Sequence, residues 1–200
     1  MAYKTDLTDA QWDLIKDYFA PDKMGAPRKY DVRDVFNALI YMLRTGCQWR
    51  LLPNDFPPYK TVQYYFYRWI KTGVIQKIQQ HLHGDLRELL GRNRKPSLGM
   101  IDSQSVKTVQ KGTDIGVDGG KKVKGRKRHI VVDVTGHLLE AQVHSAQVHD
   151  STGAYSVLAE CLLQENFEDI EKVLADTGYR GDLGDWFQEL AEQITGKKRP

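Results

Sequence analysis

Two aspartates are the first residues that could do chemistry. Asp102 closes a short apolar run at 97–101, and Asp176 closes another at 173–175. Open sheets with crossover helices hold functional groups at strand ends, where loops open onto a crevice. If the two strands are neighbours, the two carboxylates converge. Hard oxygen ligands of this kind suit magnesium or manganese. A pair of such ions can activate an attacking oxygen and stabilise a leaving oxygen in phosphoryl transfer. A plainer role also fits, in which each Asp starts a turn or caps a loop. Spacing alone leaves both open.

The elements that must position these groups differ along the chain. The first ninety residues have helical spacing. Thr8 and Gln11 make a capping-box signature, followed by Trp12, Ile15 and Phe19. Pro21, Gly25 and Pro27 mark a loop. Asp31 can cap a second helix with Val35, Phe36, Leu39, Ile40 and Leu43 on one face, stopped by Gly46. An irregular stretch with Pro53, Pro57 and Pro58 follows. Thr61 can cap a third helix with Val62, Tyr65, Phe66, Trp69 and Ile70 inward, broken by Gly73. A fourth uses Ile75, Ile78, Leu82, Leu86 and Leu89. Residues 91–96 are basic and hold both Gly and Pro, which predicts a boundary between a helical region at 1–92 and a second domain at 97–200.

Beyond that boundary the period changes. Ile130, Val132 and Val134 alternate, Thr135 and Gly136 turn the chain, and Leu139, Ala141 and Val143 alternate again. That is a hairpin signal. Asp150 can cap a helix bearing Ala154, Val157, Leu158, Cys161 and Leu162. Leu183, Trp186, Phe187 and Leu190 mark a last helix. The order strand, strand, strand, helix, strand, helix predicts an α/β fold with a mixed sheet and flanking helices, its crossover returning parallel to an earlier strand.

Composition narrows the class. The chain has 200 residues, 40% of them hydrophobic, and a net charge of +3. Cys47 and Cys161 are far apart and in no CxxC pair, which points to a reducing, cytoplasmic setting. No apolar run approaches a membrane span, and the N-terminus begins as a capped helix, not a signal peptide. Charge is concentrated: six of the eight positions at 121–128 are Lys or Arg, namely Lys121, Lys122, Lys124, Arg126, Lys127 and Arg128. Gly112, Gly116, Gly119, Gly120 and Gly125 surround them, as in a flexible loop that could follow a phosphate backbone or simply solubilise the chain. Residues 59–68 fit a recognition helix with Lys60, Gln63, Tyr64 and Arg68 outward, or a packed aromatic helix with no DNA role. The six histidines form no zinc signature; His81 and His83 lack matched partners, and His129 could contact phosphate or serve structure.

Ordered motifs add to this. Residues 101–107 are IDSQSVK, 125–136 GRKRHIVVDVTG, 148–153 VHDSTG and 173–181 VLADTGYRG, with GCQWRLLP at 46–53 and TVQYYFYRW at 61–69. Together they resemble the insertion-sequence-five group of DDE transposases, from about Leu7 to the end. The resemblance implies a ribonuclease-H-like catalytic domain behind a helical, helix-turn-helix-like DNA-binding region. It matches Asp102 and Asp176 to the family's first and second catalytic, metal-binding aspartates. It also implies two magnesium or manganese ions, double-stranded DNA as element ends and target, a homo-oligomer on DNA, and a cytoplasmic, nucleoid-associated setting.

Two departures stand out. Gly25, Ala26 and Pro27 replace the family's common Gly-Arg-Pro loop. The family's third acidic residue is a glutamate several dozen residues past the second aspartate, whereas only 24 residues follow Asp176. Asp182, Asp185, Glu189 and Glu192 lie on or beside the helix directly after that aspartate and are expected not to replace it. Three functions therefore compete: a transposase, a truncated non-catalytic DNA binder derived from one, and a metal nuclease or resolvase on the same fold.

Overall fold

The computed structural model describes residues 3–19, 28–108, 113–164, 167, 169–179 and 182–196. Pro21, Gly25, Ala26 and Pro27, and Gly112 of the glycine-rich segment, lie outside the described residues. The chain divides into two compact units, Met1–Leu82 and His83–Pro200.

The first unit is helical. α1 (Asp9–Asp13) opens on the expected capping box: Gln11 N donates to Thr8 Oγ1 at 3.2 Å, and Thr8 N donates to Gln11 Oε1 at 3.0 Å. α2 (Val32–Thr45) starts where the Asp31 carboxylate accepts from Arg33 N, and it stops at Gly46, whose φ of 67° glycine adopts without steric cost. Leu43 departs from the expected apolar face and is 83% exposed. α3 (Tyr59–Lys71) begins three residues earlier than a Thr61 cap would set it, at the start of the 59–68 recognition-helix candidate. Pro58 precedes its first turn, and Thr61 N bonds to the Pro58 carbonyl, so Thr61 is inside the helix and caps nothing. Val62 and Trp69 are buried, but Ile70 is exposed. Phe19, Val35, Ala38, Leu39, Val62, Trp69 and Ile78 form the core, with the Phe19 and Trp69 rings 4.8 Å apart.

α4 (Val74–Leu89) runs across the end of the first compact unit at Leu82. Its apolar period runs on without a local mark, yet beyond Leu82 the buried side chains are polar. His83 Nε2 lies 3.2 Å and Arg87 Nη1 2.5 Å from Asp133 Oδ2, while Leu89 is 84% exposed. Asp133 is fully buried and also accepts from Thr135 and from the His137 backbone. A buried carboxylate must be paired, so this node holds the C-terminal half of α4 to the second unit.

That unit is a five-stranded mixed sheet with helices, as the alternating periods require. β1 (Leu98–Lys107) lies between β3 (Val123–Asp133) and β5 (Lys172–Leu174). β2 (Gly116–Asp118) and β4 (Leu138–Ser145) share the other edge of β3. β1 and β3 are antiparallel; β1 and β5 are parallel, as the crossover through α5 (Asp150–Leu162) predicts. α6 (Leu183–Thr195) follows β5. Ile101, Val131 and Leu139 pack beneath Ala154, Val157, Leu158, Cys161, Phe187 and Ala191 in one dry core.

Candidate active site

The register of two strands sets the position of the aspartates. Leu98 pairs with Lys172 and Met100 with Leu174; the same offset carried two residues further puts Asp102 level with Asp176. Asp176 lies just past β5, where its Oδ1 accepts from Gly178 N at 2.8 Å. Asp102 is not at a strand end. β1 runs on to Lys107 because β3 pairs with it as far as Gly125, although the polar run after Asp102 looks like a loop. Asp102 Oδ1 accepts from Ser103 N at 2.7 Å. Both carboxylates are exposed. Asp102 lines an open cavity of about 540 Å³ together with Gln104, Arg128, Ile130, Leu138 and Ala141.

These are oxygen donors of the class that magnesium and manganese take. Among the described residues, no group of three or more His, Cys, Asp or Glu side chains could hold a metal ion. Asp182, Asp185, Glu189 and Glu192, on or beside α6, therefore do not complete a set with Asp102 and Asp176. The donors fit the ion in kind.

On the covered face of the sheet lies a polar cluster that the sequence did not announce. Lys127 is buried, with its Nζ 2.7 Å from Asp150 Oδ1, 3.2 Å from Asp118 Oδ2 and 2.8 Å from the Val148 carbonyl. Asp118 also accepts from Ser105 Oγ and from the Gly120 and Lys121 amides. The Ser105 bond, resisted by burial and joined by Lys121 and Lys127, holds the Asp118 carboxyl well below the usual range. Lys121 Nζ donates to the carbonyl and hydroxyl of Ser103, the residue after Asp102. Asp150 is the first residue of α5, not its cap. His149 caps the helix through Nδ1, which leaves the Asp150 carboxylate for Lys127. Burial works to raise that carboxyl, but Lys127 and Ser103 outweigh it and hold it low.

Tyr179 follows Asp176 by one turn and makes no hydrogen bond of good geometry through its buried hydroxyl. Burial raises its phenol strongly; nearby Ser103 pulls the other way, and the carboxylates of Asp150, Asp102 and Asp176 add to the rise. His129 is fully buried with neither ring nitrogen bonded. Burial, then His144, depress it to about 4, so it is neutral at pH 7.

The basic segment is a strand, not a loop. From Val123 on, every second residue of β3 is turned toward the helices, which takes Lys127 and His129 inside along with Val131 and Asp133. Lys124, Arg126 and Arg128 have the other phase. Lys121 and Lys122 form the turn before it and are exposed. The six cations are thus divided: Lys127 sits in an internal ion-pair cluster, Lys121 reaches Ser103, and four point elsewhere. The apolar alternation of Ile130, Val132 and Val134 has the outward phase, so nothing in the sequence marks Lys127 as covered. In the first unit, Lys60, Tyr64 and Arg68 lie exposed at helical spacing on α3, and Gln63 is half-buried.

Comparison with known proteins gives a consistent picture. Residues 93–198 match the family model described as "Transposase DDE domain", and residues 7–79 match "Putative transposase of IS4/5 family". The chain is 31% identical over 121 residues to an uncharacterized protein of Sinorhizobium fredii, y4sN, a span covering 60% of this chain and 86% of that one. No solved structure matches.

Proposed function

The chain belongs to the transposase DDE domain family, and from that premise we propose a metal-dependent enzyme that cuts DNA at the ends of an insertion sequence and joins them to a target. Membership makes the protein a transposase with a ribonuclease-H-like domain behind a helical region. The reaction itself rests on one observation: β1 and β5 are parallel neighbours, and the register that pairs Met100 with Leu174 leads on toward Asp102 and Asp176.

In this reading Asp102 and Asp176 hold divalent magnesium or manganese. The ions, when bound, supply Lewis-acid stabilisation of the attacking and leaving oxygens. The chain's own residues do the rest. Ser103 and Gly178 amides orient one oxygen of each carboxylate and leave the other outward. Lys121 secures the β1 backbone at Ser103. DNA is gripped by cations of the β2–β3 hairpin, with Lys60, Gln63, Tyr64 and Arg68 of α3 reading the element-end duplex. The protein works on nucleoid DNA in the cytoplasm and as a homo-oligomer when bound. Among the described residues, no helix is long and apolar enough to cross a membrane.

A second reading is a non-catalytic binder. It draws on the described residues, which hold no group of three or more His, Cys, Asp or Glu side chains fit for a metal ion; in it the chain occupies element ends without cutting them. A cleavage assay on element-end duplex with magnesium or manganese separates the two. Cutting that is abolished by Asp102→Ala and by Asp176→Ala supports the enzyme. Salt-sensitive binding with no cutting supports the binder, and absence of both rejects a DNA role for this chain.

A further inference from the structure

The two phases of β3 sort charge between the faces of the sheet. Inward, Lys127 is neutralised by Asp118 and Asp150. Outward, Lys124, Arg126 and Arg128 take alternate positions of one strand, and among the described residues none of them forms an ion pair with a carboxylate. Arg126 donates to the Thr113 carbonyl and Arg128 to the Gln104 side chain, contacts that orient both guanidinia and leave their charge in place. Successive cations are roughly 7 Å apart along the strand.

Cross-strand partners point to the same side of a sheet. Val117 is opposite Lys124, Val106 opposite Arg126, and Val143 opposite Arg128. All three valines are exposed, Val143 by 60%. The next step along the ladder pairs Ile130 with Asp102. The outward face is therefore a cationic row that ends at Asp102, flanked by Val117, Val106 and Val143 and by the uncharged Gln104 and Ser145.

We infer that this face is the track of a single, unpaired DNA strand, its phosphates on Lys124, Arg126 and Arg128 and its scissile end delivered to Asp102. The inference rests on the transposase reading and narrows it. The exposed valines beside the cations are a surface that a duplex, with its bases turned inward and paired, leaves uncovered. An unwound strand can follow the row, and its sugars and base faces cover the flanking valines. Charge complementarity selects the phosphates; the apolar flank selects a strand whose bases are not already stacked and paired.

The test is fluorescence anisotropy of a labelled single strand, and of the matching duplex, titrated with the full chain over a salt series. Removing three phosphate contacts to a single strand lowers the salt slope by about 2. The variant K124A/R126A/R128A is thus expected to flatten the single-strand slope. From about 50 to 200 mM salt the unaltered chain loses about 20-fold more affinity than the variant. All three side chains face away from the core, so the fold persists, and circular dichroism checks it. Val143→Asn alters no charge and is expected to weaken single-strand binding as well. An unchanged slope in the triple variant, where the unaltered chain binds, overturns the track while leaving the transposase reading intact. A slope that drops for duplex alone overturns the choice of an unpaired strand. Failure of the unaltered chain to bind either form removes the DNA reading itself.

Discussion

Replacing Lys127 by Met separates a DNA-binding lysine from a core lysine. Methionine keeps the apolar stem and deletes the ammonium. Three contacts vanish together, at 2.7 Å to Asp150, 2.8 Å to the Val148 carbonyl and 3.2 Å to Asp118. Removing one partner of a buried ion pair costs about 3–5 kcal/mol, because the other charge stays behind uncompensated. Two features place this site at the lower end. Asp118 keeps its bonds to Ser105, Gly120 and Lys121, and the Asp150 side chain is 23% exposed. The expected loss is about 3 kcal/mol, more than a hundredfold in the folding equilibrium. Urea unfolding with hydrogen exchange at the β3 amides reads the stability of this unit by itself. Adding Asp150→Asn removes the stranded charge and is expected to recover about 1–2 kcal/mol. The single-strand salt slope of the folded Lys127→Met protein should be unchanged. A cost below about 1 kcal/mol, together with a flattened slope, would put the Lys127 ammonium on the DNA surface and refute the inward phase of β3.

Three further outcomes follow from the same core. His129 is held neutral with its pKa depressed to about 4, whereas the unfolded chain protonates near 6.5. Its contribution is complete above 6.5 and is lost as pH falls toward 4, by about 3 kcal/mol; a urea midpoint that is flat between pH 7 and 4.5 would contradict this. Gly153→Ala normally gains helix stability. Here the added Cβ would sit 2.2 Å from His129 Cε1, so a loss of roughly 1–3 kcal/mol is expected, and a raised melting temperature would show that the ring has room to move. Cys161 is buried, its thiol pushed up to about 12 by burial and then by Glu140, while Cys47 is half-buried. A thiol reagent at pH 8 should therefore label Cys47 alone in the native protein and both cysteines in urea; labelling of native Cys161 would mean that the α5 core opens.

Local chemistry was readable wherever a few adjacent residues decide the outcome. The Thr8–Gln11 capping box, the Asp31 cap, the Gly46 stop and the β3–β4 hairpin around Gly136 each depend on backbone groups within a turn of one another. The mixed sheet was readable too, because period two gives way to period 3.6 and back. The motifs around Asp102 and Asp176 marked the family. Features that depend on distant partners were not readable. The extent of β1 is set by β3, so Asp102 is mid-strand. Asp150 was open to a capping role until Lys127 claimed its carboxylate. The burial of His83 and Arg87 follows from Asp133, some fifty residues away, which takes both as partners. A run of like charges has no phase until the strand acquires a covered face. Only the packing of α5 on the sheet decided that Lys127 turns inward to two carboxylates while Lys124, Arg126 and Arg128 turn out.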